Sequence, residues 1–116
     1  MPAKKDKLSL LREYLGNDDQ QIKEMLELFL QNIPNDLNEL SLVCKKNDID
    51  SIQKTAHRLK SSVRFFGLDD VATLLQQIEI SSKEQPDFEQ LDKLTKQINK
   101  LMEQELIRFE KMLSLF

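Results

Sequence analysis

The sequence predicts an all-α protein: an antiparallel four-helix bundle with an additional short N-terminal helix. Three observations point there. Helix breakers are scarce, with 2 Gly and 3 Pro in 116 residues, while the good helix formers Leu, Lys, Glu and Gln abound. Apolar residues recur at steps of three and four through four substantial segments. No segment reads as a strand, and helices joined by short connections pack antiparallel.

Taken in order, residues 1–7 are lysine-rich and read as a flexible tail, leaving 8–116 as one bundle domain. Leu8, Leu10, Leu11 and Leu15 suggest the short first helix, stopped at Gly16. One of Asn17, Asp18 and Asp19 is expected to cap the next helix. Its stripe is Ile22, Leu26, Phe29, Ile33, Leu37, Leu40 and Cys44. Pro34 falls inside this segment, and proline usually ends or kinks a helix. The stripe keeps its phase across Pro34, so one kinked helix is expected rather than two.

Asn47 and Asp48 mark a turn. The following helix, from about Asp48 to Phe66, carries Ile49, Ile52, Ala56, Leu59, Val63 and Phe66 and ends at Gly67. Asp69 or Asp70 should open the next one, with Val71, Leu74, Leu75 and Ile78 facing inward. Residues 81–87, which include Pro86, form the longest connection. The last helix carries Phe88, Leu91, Leu94, Ile98, Leu101, Leu106, Phe109, Leu113 and Phe116. Its phase shifts near Leu101 and Met102, which predicts a bend or a change of packing partner.

Composition closes off several functions. A net charge of −3 makes a poor general binder of nucleic acid, because phosphate contacts need a surplus of cations. One cysteine, Cys44, cannot form an internal disulfide, and with a single histidine it cannot build a zinc site. It reads as a small buried hydrophobe. No apolar run approaches the ~20 residues of a membrane span, and the N-terminus lacks a signal-peptide core. The expected setting is cytoplasmic, without direct membrane contact, and the expected state is a monomer, because the four stripes can satisfy one another.

The only histidine is His57. At about 100° per residue it lies roughly 130° from the centre of its helix's apolar stripe, so it faces solvent. Gln53, Lys60 and Arg64 share its side of the helix, with Ser61 one turn on, Lys54 one turn back and Arg58 further round. Cations disfavour the imidazolium, so they favour a neutral ring with a free nitrogen lone pair. Such a ring is a nucleophile. The same cations would stabilise a phosphoryl group on it, which adds about −2 charge. A catalytic triad has no local partners here, and an accidental surface histidine on a basic helix face remains the plain alternative.

The run Ala56-His57-Arg58-Leu59-Lys60-Ser61-Ser62-Val63-Arg64-Phe65-Phe66-Gly67 resembles the signature of histidine-containing phosphotransfer (HPt) domains, close to A-H-x-L-K-G-S-S-x-x-x-G. Ala56, His57, Leu59, Lys60, Ser62 and Gly67 match in register. The likeness extends to chain length, helix order, the Leu28–Leu30 run with Pro34 after it, and the Asn47-Asp48 turn. Ser61 stands where the family usually has glycine, and Val63 replaces a usual small residue.

The resemblance implies a relay protein of two-component phosphorelays. His57 would accept a phosphoryl group from a receiver-domain aspartyl phosphate and pass it to another receiver domain. Lys60 would steady that group, with Ser61 and Arg64 as further phosphoryl-stabilising candidates. Glu79 is a candidate for orienting the ring. The partners implied are receiver domains of response regulators or hybrid sensor kinases, which would supply the magnesium ion; no metal or other cofactor is expected on this chain. Nor is ATP-dependent kinase activity of its own: with Gly16 and Gly67 the only glycines, no G-x-x-x-x-G-K-[ST] loop exists. The alternative is a helical adaptor that docks on a receiver or sensor protein without accepting phosphate.

Overall fold

The computed structural model describes residues 12, 13, 16, 18–84 and 86–116. The expected tail over 1–7, and the leucines on which the short first helix rests (Leu8, Leu10, Leu11 and Leu15), lie outside the described residues. Four helices follow: α1 (Asp19–Lys45), α2 (Ile49–Phe65), α3 (Asp69–Lys83) and α4 (Phe88–Leu113). Among the described residues there is no strand. Each helix packs against its sequence neighbours, and α1 also closes on α4, which makes a four-helix ring around one core.

Asp18 caps α1, its carboxylate accepting the Gln21 N–H at 3.2 Å. The helix is continuous through Pro34. Proline removes one backbone donor, but the stripe from Ile22 to Cys44 is buried on both sides of it, and that packing holds the helix together. At its end Asn47 takes φ 56°, and the N–H groups of Asn47 and Asp48 reach back to the carbonyls of Cys44 and Val43 at 3.1 Å each. This is a Schellman turn with asparagine in the left-handed position. Asp48 then caps α2 through the Ser51 N–H. A three-residue connection thus both stops one helix and starts the next.

The end of α2 repeats the device. Gly67 takes φ +76°, its N–H bonds the Arg64 carbonyl, and the Leu68 N–H bonds the Val63 carbonyl. Leu68 is buried and serves as the N-cap of α3 without any side-chain cap. Asp69 opens this helix as expected, and with Asp70 it lies in the first turn, where their charge suits the positive end of the helix dipole.

The phase shift expected in α4 is absent. The buried stripe runs Leu91, Leu94, Thr95, Ile98, Met102 and Phe109, with Leu101 and Leu106 half-buried on its flanks. Met102 holds the centre of the stripe, and the flanking leucines only imitate a change of phase. Phe109 joins Phe29 and Phe66 in an aromatic cluster, with ring centroids 4.2 to 5.6 Å apart, that ties the end of α2 to α1 and α4. Cys44 is buried 3.4 Å from the Thr95 hydroxyl; burial pushes its thiol up, and the Thr95 contact offsets only part of that. Among the described residues no helix is long and apolar enough to cross a membrane.

Candidate functional site

The burial pattern of α2 sets the site. Ile52, Ala56, Leu59 and Val63 are buried, so the opposite side of the helix stands in solvent between the seams to α1 and α3. Val63 fills core rather than surface. His57 lies on that ridge with 68% of its side chain exposed.

On the α3 side, the ring's Nδ1 lies 3.4 Å from Oε2 of Glu79, whose other oxygen receives the Lys60 ammonium at 2.8 Å. Lys60 and Glu79 are largely buried, with side-chain exposures of 14% and 12%. One carboxylate therefore bridges the lysine and the histidine. Burial pushes the Glu79 carboxyl up, but the hydrogen bond and charge of Lys60, followed by those of His57, outweigh it and hold the group below the usual carboxylate range. An ionised carboxylate only accepts, so Nδ1 must be the protonated ring nitrogen in this contact. Nε2 is then the nitrogen that carries the lone pair.

One turn beyond Lys60, Arg64 donates to the side-chain carbonyl of Gln76 on α3 at 3.0 Å. Gln76 and Glu79 are three residues apart and share one face of α3, so α3 presents a neutral and a charged acceptor to successive cations of α2. Ser61 donates its hydroxyl to the His57 carbonyl at 3.3 Å, the back-bonding usual for serine in a helix. In that rotamer its proton is turned to the helix backbone rather than to the ring. On the α1 side, Arg58 donates to Glu39 at 2.6 Å and to Asp36 at 3.1 Å. These bonds draw the cation next in sequence to His57 toward α1.

An apolar groove of about 310 Å3 opens beside Ser61, between α1 and α2. Met25, Leu28 and Phe29 form one wall, and Ser62, Phe65 and Phe66 the other. Leu28 is half-exposed there, a large apolar side chain facing solvent in the groove that Ser61 also lines. Among the described residues no group of three or more His, Cys, Asp or Glu side chains is placed to hold a metal ion.

The family model for the Hpt domain matches residues 24–107, most of the chain. The chain belongs to the Hpt domain family. Its general role is therefore histidine phosphotransfer in phosphorelays, where Hpt domains work with receiver domains. No curated protein and no solved structure gives a significant match. The matched span covers α2 and α3 whole, and so takes in His57, Lys60, Ser61, Arg64 and Glu79.

The structure brings four of those five side chains to the α2–α3 seam and sends the Ser61 hydroxyl elsewhere. Sequence reasoning missed Gln76, whose spacing from Glu79 was the available signal. It also missed that Arg58 is held by two carboxylates of α1, since nothing in the sequence reveals how those helices are registered.

Proposed function

We propose that this Hpt domain accepts a phosphoryl group on Nε2 of His57 from the aspartyl phosphate of one receiver domain and delivers it to the aspartate of another. The observation that carries this reading is the ridge-top imidazole, exposed at mid-helix, with Nδ1 turned to Glu79. In the accepting step the Nε2 lone pair forms the N–P bond as the aspartyl O–P bond breaks. The carboxylate leaves with that electron pair, and the Nδ1 proton stays on the ring. Delivery is the reverse, toward a second carboxylate.

Such a transfer needs in-line positioning and neutralised charge, and little else. Lys60 supplies charge from one turn away, and Arg64, paired with a neutral amide, is the second cation of the seam. The receiver would bring the aspartate and the magnesium ion. The groove bounded by Leu28 and Phe65 is the surface on which we place the receiver, because Ser61, one turn from His57, lines it and it is apolar where the rest of the ridge is charged.

The test is incubation with a panel of phosphorylated receiver domains and magnesium. Acid-labile, base-stable label is expected on the wild type and none on His57→Gln, which should fold normally because the side chain is exposed. Label on the variant refutes the site. The adaptor reading, favoured by the same groove, predicts receiver binding that survives His57→Gln with no transfer from any donor.

A further inference from the structure

The helix that carries the imidazole also sets what a partner must pass over to reach it. His57, Ser61 and Phe65 follow one another at intervals of four on α2. Successive members of such a series stand about 6 Å apart along the axis, each turned about 40° from the last. Ser61 therefore lies midway, in height and in direction, between the ring and the groove wall that Phe65 forms. It lines that groove and is exposed on the crest of the ridge. A receiver that seats in the groove and reaches His57 covers Ser61.

The hydroxyl meets that receiver in one capacity only. It donates its proton to the His57 carbonyl at 3.3 Å, so toward the partner it shows oxygen lone pairs and no donor. Solvent can meet them in the free protein. Docking removes that solvent, and an acceptor left without a donor opposes binding. The nearest cations of α2 are drawn elsewhere: Arg58 to Asp36 and Glu39 on α1, Lys60 and Arg64 to Glu79 and Gln76 on α3. The donor has to come from the partner.

We propose that Ser61 is a specificity-determining residue for the transfer. It selects receiver domains whose docking face sets an N–H or O–H donor beside the apolar side chains that enter the groove. It disfavours those that bring an acceptor or an apolar group to that point. This rests on the reading of His57 as phosphoryl acceptor and of the groove as the receiver's seat. It gives Ser61 a contact with the partner protein in place of the phosphoryl-stabilising part expected from the resemblance.

One neutral hydrogen bond made, against one acceptor left unmet, separates the two kinds of receiver by about tenfold in affinity. The hydroxyl is uncharged, so the preference survives salt that screens the ion pairs of the ridge.

The experiment uses the full chain and a panel of phosphorylated receiver domains with magnesium, and follows the initial rate of label transfer as receiver concentration is varied. Ser61→Ala keeps Cβ, removes the acceptor and suits a helix, so the fold should persist. With the receivers that serve the wild type best, KM is expected to rise about tenfold while the rate at saturation stays within about twofold. With the poorest receivers KM should stay unchanged or fall. The span of KM across the panel therefore narrows about tenfold, at low and high salt alike. Ser61→Gly, which also removes Cβ, should give the same narrowing. KM values that keep their wild-type ratios in Ser61→Ala overturn the proposal. So does an equal loss of saturating rate with every receiver, the mark of a group that acts on the phosphoryl oxygens. A narrowing with Ser61→Gly and none with Ser61→Ala overturns it too, because bulk and not the hydroxyl is then being read. A wild type that takes no label from any receiver overturns the phosphorelay reading itself.

Discussion

Replacing Lys60 by methionine keeps the apolar stem and removes the ammonium, which leaves the Glu79 carboxylate largely buried beside only a long contact to His57. The lost contact is a largely buried ion pair 2.8 Å long. Breaking a largely buried pair by removing one partner costs up to about 3 kcal/mol, and the residual water access of Glu79 lowers that figure. Glu79→Gln alone leaves the ammonium without its counter-charge. The double variant, with neither charge, should be less destabilised than the sum of the two single variants by at least about 1 kcal/mol.

Urea unfolding followed by circular dichroism measures all four corners of that cycle. The pH dependence has a definite sign. Glu79 is depressed in the folded protein, so its contribution is present in full above the unfolded glutamate value, about 4.3, and is lost as pH falls through the folded value. The coupling seen at pH 7 should therefore shrink on acidification below about pH 4. Additivity within about 0.3–0.5 kcal/mol at pH 7 would refute the claim that the carboxylate is held in place by the lysine.

Three other outcomes follow from the same structure. Phe109→Ala removes a fully buried ring from the aromatic cluster and should cost about 3–5 kcal/mol in urea unfolding, while the folded fraction keeps its transfer rate because α2 and α3 make the site. Leu28→Asp puts a charge into the groove at a half-exposed position, so receiver affinity measured by titration should fall about tenfold with stability within about 0.5 kcal/mol of wild type. Cys44 should react with thiol reagents only after unfolding, because it is buried and its thiol is pushed up; rapid modification of the native protein at neutral pH would contradict its place in the core.

The sequence exposes what depends on one helix and hides what depends on the register between two. The outward direction of His57 is legible from the stripe of α2 alone, and the continuity of α1 across Pro34 from the unbroken phase. The apparent break at Leu101 and Met102 misleads because a half-buried leucine beside a stripe looks, by residue type, the same as a leucine inside it. The start of α3 at Asp69 is legible, but its N-cap is not. The Schellman turn at Gly67 requires an apolar residue at the next position to cover the end of α2, and Leu68 meets that need while also standing at the N-cap. An aspartate at that position would be buried, so the acidic pair sits one step later. The pairing of Glu79 with both Lys60 and His57 depends on how α2 and α3 are aligned, which periodicity does not contain.

That alignment bears on how a phosphoryl group could find its counter-charge on the reading proposed here. Several cations lie near the ring in sequence, and the structure commits Arg58, Lys60 and Arg64 differently. Arg58 is tied to two carboxylates of α1 and would have to abandon both. Arg64 lies two turns beyond the ring and is held by an amide, which water can replace at little loss. Lys60 shares the Glu79 carboxylate with the ring and need not leave that ion pair, because an ammonium has three N–H donors to offer. A phosphoryl oxygen on Nε2 can take one of them while the Glu79 pair stays in place. The bridge that steadies the empty ring is thus compatible with the loaded one, and neither state strands the buried carboxylate without its cation. The same site can then be filled and emptied with no rearrangement of α2 against α3, as in-line exchange between successive receivers requires.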